Sequence, residues 1–145
     1  MTGRPDDEGS ATVEFALFSM LLLVPFTYVL LTVFAVQRAA YGVTEAAREA
    51  ARAFVTSPSG GQAQQRMNAA VALALRDQGL PPQGLGITVT CSADPCLTPG
   101  ATVTVRINDQ VPLPWVPALL GRPAATVAVS AVEVQTVDVF RSARP

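Results

Sequence analysis

The sequence predicts an α+β protein: a long N-terminal helix, then one amphipathic helix packed on a small antiparallel sheet of about three strands. Three observations support this. Residues 15–36 carry no formal charge, and residues 62–78 repeat apolar side chains at helical spacing. From Gly86 onward, polar and apolar residues alternate with a period of two, which is typical of strands.

The uncharged stretch is long enough to cross a membrane. Its 22 residues would cover about 33 Å as a helix, against a hydrocarbon thickness of roughly 30 Å. A cleaved secretory signal is the alternative. Such signals have a basic start and a shorter apolar run, whereas Asp6, Asp7 and Glu8 precede this one. We therefore expect a retained span, with Pro25 either simply tolerated or bending the helix.

The helix is expected to continue beyond the membrane. Residues 37–54 are rich in alanine and other good helix formers, so one helix would cover residues 10–54 with Ser10 as its N-cap. Glu45 with Arg48, and Glu49 with Arg52, form pairs of opposite charge three residues apart.

One face of this extension carries small residues at spacings of three and four. We expect a helix of another subunit to pack there, the alternative being an exposed stalk. The predicted helix-packing residues are Ala39, Val43, Ala46, Ala50 and Ala53.

A small domain follows. An amphipathic helix is predicted over residues 62–78, and Gly79 suits the position just after its end. Three strands are predicted within residues 87–91, 103–107 and 127–137, joined as a meander. Residues 110–124 form a crossover whose prolines exclude a central strand. Trp115 in this crossover either anchors it on the sheet or captures a partner.

Several classes of function are disfavoured. The chain has no histidine, the commonest general base and metal ligand, and its acidic residues are scattered. A net charge of −1 gives no reason to expect a nucleic-acid partner. We expect no enzyme activity, no cofactor, no metal and no small-molecule substrate.

Cys91 and Cys96 enclose four residues of the loop between the first two strands. A metal site would need two further soft or imidazole ligands, and a redox dithiol usually has two intervening residues at a helix start. A structural disulfide between them is the favoured interpretation.

Glu14 lies at the beginning of the apolar stretch. A carboxylate at bilayer depth costs about 2.5–3.5 kcal/mol on insertion scales unless it is paired or lies at the interface. It could face the headgroups and gain from the helix dipole. Alternatively, cleavage between Gly9 and Ser10 would create an α-amino group, which could pair with Glu14 of a neighbouring subunit.

The segment GSATVEFAL at residues 9–17, the apolar run after it and the AAREAAR segment at residues 46–52 resemble the TadE-like family. These proteins are minor pilins, or pseudopilins, of the tight-adherence (Flp) pilus system, a branch of the type IV pilus superfamily. The resemblance covers about residues 9–53. The β-rich remainder is compatible with the family but less diagnostic.

The resemblance implies a cytoplasmic leader at residues 1–9, a transmembrane helix with its extension at residues 10–54, and an extracytoplasmic domain at residues 55–145. Arginine distribution alone favours the opposite orientation. A prepilin peptidase would cut after Gly9, which places Glu14 and Phe15 at the subunit-assembly positions. The implied partners are the lipid bilayer, other pilin subunits and the pilus assembly platform. The alternative function is a membrane-anchored extracytoplasmic binding module whose span is only an anchor.

Overall fold

A computed structural model describes residues 10–113 and 125–141 of the chain. It contains two helices and three strands in the order α1 (Ser10–Val55), α2 (Gly60–Asp77), β1 (Gly86–Cys91), β2 (Thr102–Pro112) and β3 (Thr126–Thr136). The predicted α+β class, with a long N-terminal helix, a second helix and a three-stranded antiparallel sheet, is confirmed. The chain divides into two compact units after Phe34.

Helix α1 is 46 residues long and continues without interruption through Pro25 and Gly42. Glycine is a poor helix former, but Gly42 lies inside this helix and is buried. A Cβ atom built on it would lie 2.5 Å from Leu80 Cδ1 and 3.4 Å from Gln78 Cβ. Glycine at this position therefore lets the segment after α2 approach α1 closely, which offsets its poor helix propensity.

Helix α2 begins two residues earlier than predicted, because Ser59 caps it. The Ser59 side chain accepts a hydrogen bond from the Gln62 backbone N–H at 3.5 Å. Its end is as predicted: Gly79 has φ +66°, and its N–H donates to the carbonyl of Arg76. The Leu80 N–H donates to the carbonyl of Leu75, which completes a Schellman motif.

The sheet has the order β1–β2–β3 with both pairs antiparallel. Its covered face carries the fully buried Val103, Val105 and Ile107 of the central strand β2. Val132 and Val134 of β3 lie on the opposite face and are 45% and 56% exposed.

Strand β2 extends to Pro112, further than the predicted crossover allowed. From Asp109 onward, β2 pairs with β3 alone among the described residues, since the pairing with β1 ends at Asn108. The Leu113 N–H donates to the Ala125 carbonyl on the β3 side. Because successive N–H groups of a strand point to opposite sides, the missing N–H of Pro112 falls on the unpaired side, where proline is tolerated.

The predicted disulfide is present between Cys91 and Cys96, with the two Cα atoms 5.2 Å apart. It closes the loop between β1 and β2. Two hydrogen bonds also hold this loop: Ser92 N–H donates to the Thr102 carbonyl at 3.0 Å, and Thr102 N–H donates to Ser92 Oγ at 2.9 Å. Most of the predicted crossover, including Trp115, lies outside the described residues.

Candidate assembly helix

The first part of α1 presents an apolar surface that the described chain does not cover. Residues 11–31 are exposed apart from two half-buried positions. The large apolar side chains here are between 41% and 74% exposed, the highest values including Phe15 and Leu22 at 74%. Exposing so much apolar surface to water is unfavourable, so this segment requires another environment.

That environment can be a bilayer. Among the described residues, one helix is long and apolar enough to cross a membrane. An apolar segment of 18 residues within this helix has no buried residues. Just after residues 11–31, Thr32 Oγ1 donates to the carbonyl of Tyr28 at 2.9 Å, so the hydroxyl is satisfied by the helix backbone. The helix is thus compatible with a single-pass membrane anchor.

The predicted processing and assembly residues lie at the start of this helix. Ser10 is the first residue of α1, and Gly9 lies outside the described residues. Glu14 is exposed in the second turn, and Phe15 beside it is 74% exposed. A carboxylate in the early turns is favourably placed for the positive end of the helix dipole.

The small-residue face of α1 lies in the second unit, where the chain's own core covers it. Ala39, Val43, Ala46 and Ala50 have no exposed surface, and Ala53 is half-buried. The sequence predicted that a helix of another subunit packs against this face. The face instead belongs to one core cluster with α2 and the sheet, so the four buried residues offer no surface to a second molecule.

The core also uses α1 residues that the prediction left out: Ala47, Ala51 and Phe54 are all buried. Together with the predicted positions they follow spacings of three and four and widen the stripe. Across from them lie residues of α2, of which Met67 and Leu75 are fully buried. The sequence does contain the pattern that indicates this wider packing face, because the alanines of this part of α1 form a stripe broader than a single row of residues along the helix.

The solvent side of α1 in this unit is charged. Glu45 and Glu49 line a groove of about 340 Å³ with the α2 residues Ala70, Leu73, Ala74 and Asp77 and with Gln78. Within residues 10–113 and 125–141, no ion pair joins Glu45 to Arg48 or Glu49 to Arg52 within 4.0 Å. The pairs predicted from sequence spacing therefore do not form in the described structure.

A second depression, of about 440 Å³, lies at the end of α1 and is lined by residues 55–58 together with Thr136, Asp138 and Arg141. Arg141 donates from both guanidinium nitrogens Nη1 and Nη2, to the carbonyls of Val55 and Ser57. The arginine thus provides donors for two carbonyl groups at the end of α1 and just after it. Across the described ranges, no cluster of three histidine, cysteine or carboxylate side chains could hold a metal.

Comparison of the chain with protein-family models, with curated proteins and with solved structures finds no match in any of the three. The fold and the residues themselves define a protein with a long apolar N-terminal helix compatible with a single-pass membrane anchor, joined to a small α+β unit.

Proposed function

We propose that this chain is a TadE-like minor pilin, or pseudopilin, that assists the initiation or assembly of a tight-adherence pilus. The observation that carries the proposal is the first part of α1: an uncovered apolar helix with Glu14 in its second turn. Apolar helices of this kind can pack against one another in a membrane or in a filament, and an early carboxylate can fix their axial register.

The proposed mechanism begins with cleavage after Gly9 by a prepilin peptidase. The new α-amino group of Ser10 then pairs with Glu14 of a neighbouring subunit, so that each charge neutralises the other in an apolar surrounding. The N-terminus lies in the cytoplasm before cleavage, and the domain with the Cys91–Cys96 disulfide lies outside the cytoplasmic membrane, where disulfides form and persist.

The first experiment is the intact mass and N-terminal sequence of the protein purified from membranes of its own host. A mature chain that begins at Ser10 is the expected result. A Gly9→Leu variant is the matched control, because a bulky residue should block cleavage and leave the leader in place. A wild-type chain that still carries its leader would contradict prepilin-type processing.

The second experiment addresses assembly. Glu14→Gln keeps the size of the side chain but removes its charge, so we expect pili to be lost while the protein stays in the membrane. Thr12→Val serves as a control at a neighbouring exposed position. An unchanged pilus count in Glu14→Gln, with wild-type protein levels, would favour the membrane-anchored binding module. No described residue specifically supports that alternative, since Trp115 lies outside the described ranges.

A further inference from the structure

A charged groove and a charged ridge lie next to each other on the second unit. We name the groove between α1 and α2 the acidic groove; its carboxylates are Glu45, Glu49 and Asp77. We name the exposed side chains of Arg48 and Arg52 on α1 the arginine ridge. An α-helix turns by about 100° per residue. The midpoint between Arg48 and Arg52 is therefore rotated by about 60° around the α1 axis from the midpoint between Glu45 and Glu49, so the groove and the ridge are adjacent but distinct surfaces.

No arginine is among the residues that line the acidic groove. In the described part of the chain, neither its three carboxylates nor the two arginines of the ridge form an ion pair within 4.0 Å. Three negative charges along one groove repel each other, and a cation from another molecule would relieve that repulsion.

The groove also has an apolar wall. Leu73 of α2 is 62% exposed there, beside Ala70 and the buried Ala74. An arginine side chain suits such a surface, because its aliphatic stem covers apolar atoms while its guanidinium reaches the carboxylates. The groove is therefore better matched to arginine than to a small cation.

The spacing of the charges matches between groove and ridge. Glu45 and Glu49 are one turn apart on α1, as are Arg48 and Arg52, which is about 6 Å along the helix axis in both cases. We propose that the arginine ridge of one copy of this chain docks in the acidic groove of a second copy. Two copies anchored in one membrane with the same topology have parallel α1 helices. Arg48 then meets Glu45, and Arg52 meets Glu49, when the copies are offset by three residues, about 4.5 Å.

This inference rests on the membrane-anchored orientation in the proposed function, and it refines that function. The proposed pairing of the Ser10 amine with Glu14 lies in the first unit, whereas the groove and the ridge lie in the second, so each contact is tested by its own variants. The interface is heterologous, since different surfaces of the two copies meet.

A single exposed ion pair contributes little to the free energy of binding. Confinement in one membrane therefore has to raise the effective concentration of the two partners. The test therefore uses full-length protein in membranes, with two differently tagged copies co-expressed and co-purified in mild detergent at low salt. Self-association should fall at least fivefold in Glu45→Arg/Glu49→Arg and equally in Arg48→Glu/Arg52→Glu. Mixing these two variants should restore association, because each groove again faces a ridge of opposite charge.

The matched control is Arg76→Glu/Arg106→Glu, which makes the same change in charge at two exposed arginines, one on α2 and one on β2, that do not line the groove. It should associate like the wild type. Restoration by mixing would also show that both reversed variants are folded. Wild-type association of either reversed variant alone, or failure of the mixture to associate, would overturn the inference.

Cysteine cross-linking measures the offset directly. A copy carrying Glu45→Cys and a copy carrying Arg48→Cys should form a mixed dimer under mild oxidation at least fivefold more than two Glu45→Cys copies do. Equal yields would contradict the three-residue offset. The two proposals can be distinguished. If Glu14→Gln loses its pili but the charge-reversed variants still co-purify like the wild type, the proposed function is supported and this interface is contradicted. An unchanged pilus count in Glu14→Gln, together with the expected cross-link between Glu45→Cys and Arg48→Cys, would support this interface and contradict the proposed function.

Discussion

The side chain of Arg141 donates a hydrogen bond of 2.9 Å to the backbone carbonyl of Val55, the last residue of α1. A second bond from the same guanidinium reaches the carbonyl of Ser57, a residue with no exposed surface. The last carbonyls of a helix have no partners within it, and a cation there also complements the helix dipole. Residues separated by 86 positions in the chain thus fix the end of α1 to the segment after β3.

Replacing Arg141 with alanine should lower the free energy of unfolding by about 2 kcal/mol, because hydrogen bonds to a charged group are lost and a buried carbonyl is left without its donor. Arg141→Lys should lie between wild type and alanine, since it keeps the charge but not the forked geometry. Thermal unfolding of the purified protein in detergent measures both effects. Arg106→Ala, at an exposed arginine of the outer sheet face, is the control and should change little.

Gly42→Val should destabilise the protein by about 1–3 kcal/mol, because the added side chain meets Leu80 and Gln78 and overpacks the contact. The same substitution at Gly61 is the control: a Cβ atom there has nothing within 4 Å. Chemical denaturation of both variants in detergent gives the comparison. Equal effects at the two glycines would show that the close approach of Leu80 to α1 contributes nothing to stability.

Ala50→Leu should be strongly destabilising, by about 1–3 kcal/mol or more, since Ala50 has no exposed surface and the core has no room for three further carbon atoms. Ala40→Leu, at an exposed position of the same helix, should leave stability within about 0.5 kcal/mol of wild type. The measurement is the unfolding midpoint of the monomer. If Ala50→Leu gives a stable monomer that fails only in assembly, this face packs against another molecule and not within the core.

Removing the disulfide through Cys91→Ser/Cys96→Ser should cost on the order of 2 kcal/mol, because the closed loop is short and the lost chain-entropy term is correspondingly small. A reducing agent should lower the melting temperature of the wild type by a similar amount and leave the double variant unchanged. A melting temperature that does not respond to reductant would indicate that the hydrogen bonds of Ser92 with Thr102 suffice to hold the loop.

Local patterns predicted much of the fold. The uncharged stretch predicted the first part of α1, and the alternation with a period of two predicted the three strands in their order. Gly79 marked the end of α2 because the left-handed conformation after a helix favours glycine. The Cys91–Cys96 bridge followed from short separation and the lack of other ligands. The start of α2 was missed because the Gly60–Gly61 pair indicated a break, whereas the Ser59 side chain was free to cap the helix.

At the candidate site, the sequence located the helix but not the use of each face. The positions of Glu14 and Phe15 on an uncovered helix follow from the apolar run around them, and their role in assembly stays a prediction. The alanine stripe could equally suit a helix of another subunit or one from the same chain, because spacing describes a surface and not its occupant. Sequence spacing also suggested ion pairs within α1 that the described structure does not contain.

The sequence by itself determined the features that depend on neighbouring residues: the length of the apolar segment, the helical and strand periods, the glycine after α2 and the short cysteine loop. Only the tertiary structure decided which surfaces meet. It placed the Ala50 face in the core, brought Leu80 against Gly42, put Pro112 at the unpaired end of β2 and joined Arg141 to Val55. These contacts join residues far apart in the chain, and close packing of the whole unit selects them, so no local pattern encodes them.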